Sequence, residues 1–257
     1  MARCSRLIEN MFNNNDFGPV RDKSTYMPGD AWTFNEWKDE NTGARYVEHA
    51  PSDLIDLHIG LDIGYKHDRS CACVIEVMLG PKSEQIFVVR YLKRWKQGLL
   101  YPSLVKQVER LYNHLKASGH GKPVSTYFAV DSTGVGEGVA QLIDNALPSE
   151  SVFHYYITSG INQNIDSFGH HHIPKGQMIS GIVGAISSGA LRLPRDISQT
   201  KDGEEMLKEM FEYEIKIADN GHDTYGSGQK FDDMVCSLGL SLACAVEYGS
   251  HTDDGIW

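Results

Sequence analysis

An α/β fold is predicted, built on a mixed sheet of three antiparallel strands followed by parallel ones, with helices on both faces. Three observations predict it. Three apolar, β-branched runs follow one another closely between residues 57 and 92. The hydrophobic period then lengthens from that of a strand to that of a helix. From residue 125 onward, strand-like and helix-like segments alternate, which is the pattern of parallel additions to a sheet.

The first run, "LHIGLDI" (57–63), is followed by "CACVIEVML" (71–79) and "EQIFVVRYL" (84–92). "GPKS" separates the last two and reads as a hairpin turn. Connections this short imply an antiparallel meander. In "YPSLVKQVERLYNHLKASG", Leu104, Val105, Val108, Leu111, Tyr112 and Leu115 fall on one helical stripe. Pro102 suits a first turn and Gly119 a C-cap. A strand "STYFAV" (125–130), a helix, and a strand "VFHYYIT" (152–158) come next. "GQMISGIVGAISSGAL" and "EEMLKEMF" read as helices and "YEIKIA" as a strand. The Gly-rich "DNGHDTYGSGQK" reads as a loop, and "DDMVCSLGLSLACAVEY" as a final helix. The order resembles the ribonuclease-H-like pattern, a five-stranded mixed sheet.

Residues 1–55 differ in composition, being rich in Asn, Asp, Gly and Pro with isolated aromatics. They predict an arm or linker with a short helix or hairpin, packed onto the core through Trp32, Phe34 and Trp37. Residues 56–250 form the domain, and 251–257 a tail. The chain has 257 residues and 41% hydrophobic content, enough for a sizeable core. No run of about 18 apolar residues occurs, so no membrane span is expected. No signal peptide is evident, and a cytosolic setting is the default. The five cysteines are scattered, without a CxxC pair, so neither a disulfide framework nor a zinc site is expected. Cys71 and Cys73 read as same-face residues of a buried strand.

The carboxylates carry the chemistry. Asp62 ends the first strand and Asp131 the fourth, in "YFAVDSTGVGEG". In the expected sheet these strands are adjacent and parallel, so both side chains project from one edge. Asp232 and Asp233 open the last helix, which is expected to pack across the sheet and deliver them to the same edge. Asp68 follows in the loop after Asp62. Each residue has an ordinary reading too, as a turn residue or an N-cap. Clustered carboxylates repel one another unless a cation neutralises them. Mg²⁺ or Mn²⁺ takes such oxygen ligands, and two ions about 4 Å apart can hydrolyse a phosphodiester. In that scheme Asp62 bridges both ions, Asp131 holds one, and Asp233 or Asp232 the other. The glycines of "DSTGVGEG" are not followed by Lys-Ser or Lys-Thr, so they are not a Walker A loop.

"IGLDIGYKHDRSCACVI", "FAVDSTGVGEGVAQLI" and "GSGQKFDDMVCSLGLSLACAV" together resemble the C-terminal nuclease domain of phage terminase large subunits, over residues 57–247. The resemblance implies a metal-dependent endonuclease. It would cut concatemeric double-stranded phage DNA for packaging, in the cytoplasm of an infected bacterial host. It supports Asp62, Asp131 and the Asp232–Asp233 pair as metal ligands, with Asp233 favoured as a catalytic residue, and Asp68 more weakly. It implies a terminase ATPase domain, a small terminase subunit and a portal as partners. A motor domain normally precedes the nuclease, and only about 55 residues do so here. The chain is therefore expected to be a separate nuclease domain or a split gene product.

The formal net charge of −10 opposes a broad DNA-binding surface. Local basic groups remain in "YLKRWKQG", with Lys93, Arg94 and Lys96. Lys66 and Arg69 flank the first acidic loop, and Lys230 precedes the Asp pair. These are candidate phosphate contacts, or else ordinary surface, and they imply weak, salt-sensitive affinity. "GHHHIPKG" reads as a loop. Residues 219–230 read as a flap over the site or a hairpin tip. Rival readings are a Holliday-junction resolvase, an actin-like or sugar-kinase ATP-binding phosphotransferase, and a non-enzymatic adaptor retaining the fold.

Overall fold

The computed structural model describes residues 54–64, 68–79, 84–117, 125–147, 151–194, 197–217, 223–227 and 232–249. It also describes short strands at 17–18, 21–22, 33–34, 36–38 and 45–47. The elements run β1 (Leu54–Asp62), β2 (Cys71–Leu79), β3 (Gln85–Arg94), α1 (Tyr101–Ala117), β4 (Ser125–Asp131) and α2 (Gly136–Ala146). There follow β5 (Val152–Thr158), β6 (Asn164–Ile165), β7 (His171–Pro174), α3 (Lys175–Ser187) and β8 (Leu191–Pro194). The chain closes with a 3₁₀ turn (Ile197–Gln199), α4 (Lys201–Glu212), β9 (Tyr213–Ile217), β10 (Asp223–Ser227) and α5 (Asp233–Tyr248).

The expected core is present. β1, β2 and β3 form an antiparallel meander, and β4 adds to β1 and β5 to β4 in parallel. The expectation of five strands is too small. Among the described residues nine strands join one sheet, in the order Phe17–Gly18, β8, β3, β2, β1, β4, β5, β7, β6. Two extensions were not expected. Leu191–Pro194 is one: the expected helix runs to Leu191, no element is expected over 192–194, and four residues alternating L-R-L-P are too short to declare a strand. The other, His171–Pro174, falls in the expected loop, yet it pairs in parallel with β5 and turns straight into α3. Half of the Gly-rich loop is also a strand, β10, forming an antiparallel hairpin with β9. In the N-terminal arm, Arg21–Asp22 pairs with Thr33–Phe34 and Glu36–Lys38 with Arg45–Val47. Trp32, the side chains of Phe34 and Trp37, Lys66, Lys230 and the tip of the expected flap lie outside the described residues.

Alternation sorts side chains between two cores. Leu57, Ile59, Leu61, Val74, Phe128 and Val130 pack with Leu104, Val108 and Tyr112 of α1 and Val139 and Ile143 of α2. On the opposite face Cys71, Cys73, Ile75 and Val89 pack with α3, α4 and α5 through Ile182, Met206 and Leu238. The two cysteines thus share a buried face as expected, and both thiols are free. In β1 the residues turned toward α5 are the alternates of Leu57, Ile59 and Leu61, namely His58, Gly60 and Asp62. Ala129 of β4 also packs on the α5 side, with Leu240 and Cys244, so Asp131 two residues later shares its face.

Helix α5 is buried nearly throughout its first three turns, as its apolar circumference dictates. It runs antiparallel to β1 and touches it backbone to backbone. A Cβ on Gly60 would lie 2.0 Å from the Ser237 carbonyl oxygen and 2.5 Å from the Ser241 nitrogen. The far end is fixed as well. His58 Nδ1 lies 3.3 Å from Cys244 Sγ, the Tyr155 hydroxyl donates to Glu247 at 3.1 Å, and Tyr248 stacks on Phe153 with ring centroids 4.0 Å apart. No helix among the described residues is long and apolar enough to cross a membrane. Gly60→Ala must lift α5 off the sheet, and overpacking of this kind costs about 2–3 kcal/mol. Urea unfolding should register that loss, and a change below about 1 kcal/mol would mean the contact is not tight.

Candidate metal centre

The pairing register builds the acidic corner. Leu61 pairs with Val130 across the parallel β1–β4 ladder, so Asp62 and Asp131 follow as neighbours on strands about 4.8 Å apart. Both face α5. The chain leaves β4 through Ser132, whose N–H donates to the Tyr155 carbonyl at 2.7 Å. The Asp131 carboxylate accepts the Thr133 N–H at 2.8 Å. Gly136 is required here, because a Cβ would stand 2.2 Å from the Asp131 carbonyl oxygen.

Because α5 is seated at Gly60, its first turn reaches the same edge. Asp62 is pushed well above the usual carboxylate range, first by burial, then by repulsion from Asp131, Asp233 and Asp232. Asp131 is raised by burial, against the opposing bonds from Thr133. Burial also raises Asp233, to about 6. Arg94 and a hydrogen bond from the Arg69 backbone oppose that rise, while Asp68 and Asp232 add to it. All five predicted acids therefore lie within electrostatic reach of this corner.

Two cations answer them. Lys175, first residue of α3, places Nζ 2.6 Å from Asp232 Oδ2. Burial disfavours its ammonium, but the acidic groups around it, Asp232 and Asp62 among them, hold its pKa above the ordinary lysine value. Sequence reasoning missed Lys175. The available signal was weak: a cation opening a helix is unfavourable to the macrodipole, which suggests a partner elsewhere. The second cation is Arg94, 3.9 Å from Asp233 Oδ2.

Arg94 departs from the expectation of a phosphate-gripping surface residue. Its side chain is 9% exposed. The guanidinium pairs with Glu205 at 2.7 Å and donates a short hydrogen bond to Glu209. Helix α4 brings both acids to the end of β3, and the ion pairs consume the charge expected for DNA. Lys93 lies 3.8 Å from Asp202, and Arg69 lies 3.8 Å from Glu205 while remaining partly exposed. Lys96 is exposed.

The donor set suits a hard divalent ion. Every acid is a carboxylate, and Asp233 Oδ2 is buried without a hydrogen-bond partner, a cost that a ligand would remove. Among the described residues, no three His, Cys, Asp or Glu side chains already stand as a finished cage for one ion. Joint coordination therefore requires the carboxylates to turn, Asp232 away from Lys175 first.

No protein-family model matches the chain. No curated protein matches it in sequence. Solved structures do match in fold. The large terminase nuclease of thermophilic phage G20c with bound magnesium superposes with a TM-score of 0.58 at 18% identity, covering 95% of this chain and 97% of that one. The same nuclease with bound cobalt gives equal figures. The manganese-soaked human cytomegalovirus terminase nuclease domain gives a TM-score of 0.50 at 9% identity, covering 81% and 90%. The chain thus has the ribonuclease-H-like fold of terminase nucleases.

The raised Asp233 value has a definite sign. The folded carboxyl, at about 6, holds its proton more tightly than the unfolded one at 3.8. Its stabilising effect is complete at pH below the unfolded value and is lost as pH rises through about 6. In chelator-containing buffer the melting temperature of Asp233→Asn relative to wild type should therefore climb between about pH 4 and about pH 7. A calorimetric difference that stays flat across that interval would remove the crowding.

Proposed function

We propose that the chain is a metal-dependent endonuclease that cuts double-stranded phage DNA, resolving concatemers during genome packaging. The observation that carries this reading is that Asp62 and Asp131 follow directly on the last residue pair of adjacent parallel strands, with Asp233 delivered close enough by α5 to repel Asp62. The fold likeness to terminase nucleases, one of them solved with magnesium and with cobalt bound, supports it.

Asp62, Asp131 and Asp233 would hold two Mg²⁺ or Mn²⁺ ions, with Asp232 and Asp68 as further ligands or water-orienting groups. Bound there, the ions supply charge neutralisation and Lewis acidity toward the phosphoryl group. The chain's own groups do the rest. Carboxylate oxygens in the corner accept a proton from the attacking water as its oxygen bonds to phosphorus. The bond from phosphorus to the ester oxygen breaks, and that oxygen takes up a proton from solvent water. Lys175, once freed from Asp232, is placed to meet the extra charge on the phosphate. Arg69, Lys93 and Lys96 are the described cations for flanking phosphates, with Lys66 and Lys230 proposed alongside them. Partial neutralisation of Arg69 and Lys93 by α4 makes affinity for DNA low and steeply salt-dependent. Grip would then come from partners: a terminase ATPase domain, a small terminase subunit and a portal, in the host cytoplasm.

With Mn²⁺ or Mg²⁺ the protein should nick and linearise plasmid DNA, and chelation should stop it. Asp62→Asn, Asp131→Asn and Asp233→Asn should each lower the cleavage rate by at least about 100-fold while keeping the circular-dichroism spectrum. Cleavage by Asp62→Asn at the wild-type rate would refute the mechanism. Strong preference for four-way junctions over plasmid would move the reading to a resolvase.

A further inference from the structure

The start of α5 carries an unusual division of labour. Its N-cap residue, Asp232, makes no side-chain cap hydrogen bond and turns its carboxylate to Lys175. The first-turn backbone N–H groups, which have no partner within their own helix, still need acceptors. They find one on another helix: Glu209 Oε2 of α4 accepts the N–H groups of Met234 at 2.9 Å and Val235 at 3.2 Å. The other oxygen of Glu209 takes the hydrogen bond from Arg94. Glu209 is 6% exposed, so its charge is affordable only because all these donors converge on it.

An aspartate at this position would ordinarily fold back onto its own helix as a cap. Such a bond would turn the carboxylate away from the sheet edge. We infer that Glu209 is a positioning residue: it caps α5 from α4 and thereby spares Asp232 and Asp233 from capping, so that both can turn to metal at the sheet edge. The inference rests on the metal-centre reading above. Arg94 completes the device, fixing Glu209 while standing beside Asp233. Outer groups that orient metal ligands typically change metal affinity 10- to 100-fold when removed.

The test uses the full chain and Mn²⁺ binding measured calorimetrically, with circular dichroism to confirm folding. Glu209→Ala should raise the Mn²⁺ dissociation constant by about 10-fold or more. Glu209→Gln keeps an amide oxygen for the two N–H groups and should stay within about threefold of wild type. A Glu209→Ala protein that binds Mn²⁺ as wild type does would overturn the inference. So would Glu209→Gln losing as much affinity as Glu209→Ala, because charge rather than capping would then be at work. Should Glu209→Ala not fold, Glu209→Gln decides alone, and a loss beyond about 10-fold refutes the role. Asp62→Asn is measured in parallel. If it binds Mn²⁺ like wild type, the metal centre itself is wrong and both readings fall. If binding depends on Asp62 but not on Glu209, only the positioning role falls.

Discussion

The contact on which the rest of the molecule depends is the backbone-to-backbone seat of α5 on β1 at Gly60. A helix normally stands about 10 Å from a sheet because side chains intervene. Here a residue without a Cβ faces Ser237 and Ser241, and the helix sinks onto the strand. Two residues past Gly60 lies Asp62, and one turn before Ser237 lies Asp233. The same missing side chain therefore sets helix depth and decides which carboxylates meet. Burial of α5 among the apolar residues of β2, α3 and α4 keeps it there, and the aromatic and histidine contacts around Tyr248 keep it from sliding.

Bringing acids together this way is electrostatically uphill. The molecule offsets the cost with two fixed cations and a backbone donor. Lys175 arrives at the head of α3 and Arg94 at the end of β3, and the Arg69 backbone in the loop after β1 donates a hydrogen bond to Asp233. The acids of α4 then neutralise the outward-facing cations in turn. The result is an alternating charge lattice centred on a sheet edge, rather than a basic face surrounding an acidic hole. It also reconciles a net charge of −10 with an anionic polymer as substrate in the proposed function: long-range attraction is not how such a polymer would be held.

Much of this was legible in sequence because two periodicities dominate it. Strands β1 to β5 and helices α1, α3 and α5 declare themselves through runs of Val, Ile and Leu at period two or near 3.6. The order of Asp62, Asp131 and Asp233 then follows from topology. What was hidden depends on tertiary pairing. Leu191–Pro194 and His171–Pro174 are strands only because β3 and β5 offer them edges. Lys175 and Glu209 lie on helices that show no motif, and their roles exist only once α3, α4 and α5 converge. Arg94 misled because "KRWK" resembles a solvated basic stretch. The alternation of β3 in fact turns its guanidinium inward, against α4.

The four described cysteines mark the seam between α5 and the sheet. Cys71 and Cys73 line the strand side, and Cys236 and Cys244 line the helix side, all free and buried. Burial pushes every one of these thiols upward, Cys73 to about 12. Thiolate is the reactive form, so in the closed molecule these sulfurs are chemically silent. They gain reactivity only when the helix parts from the strands. The native chain thus carries its own stopwatch: the pace at which an alkylating reagent consumes these sulfurs times the breathing of the joint that assembles the acidic corner.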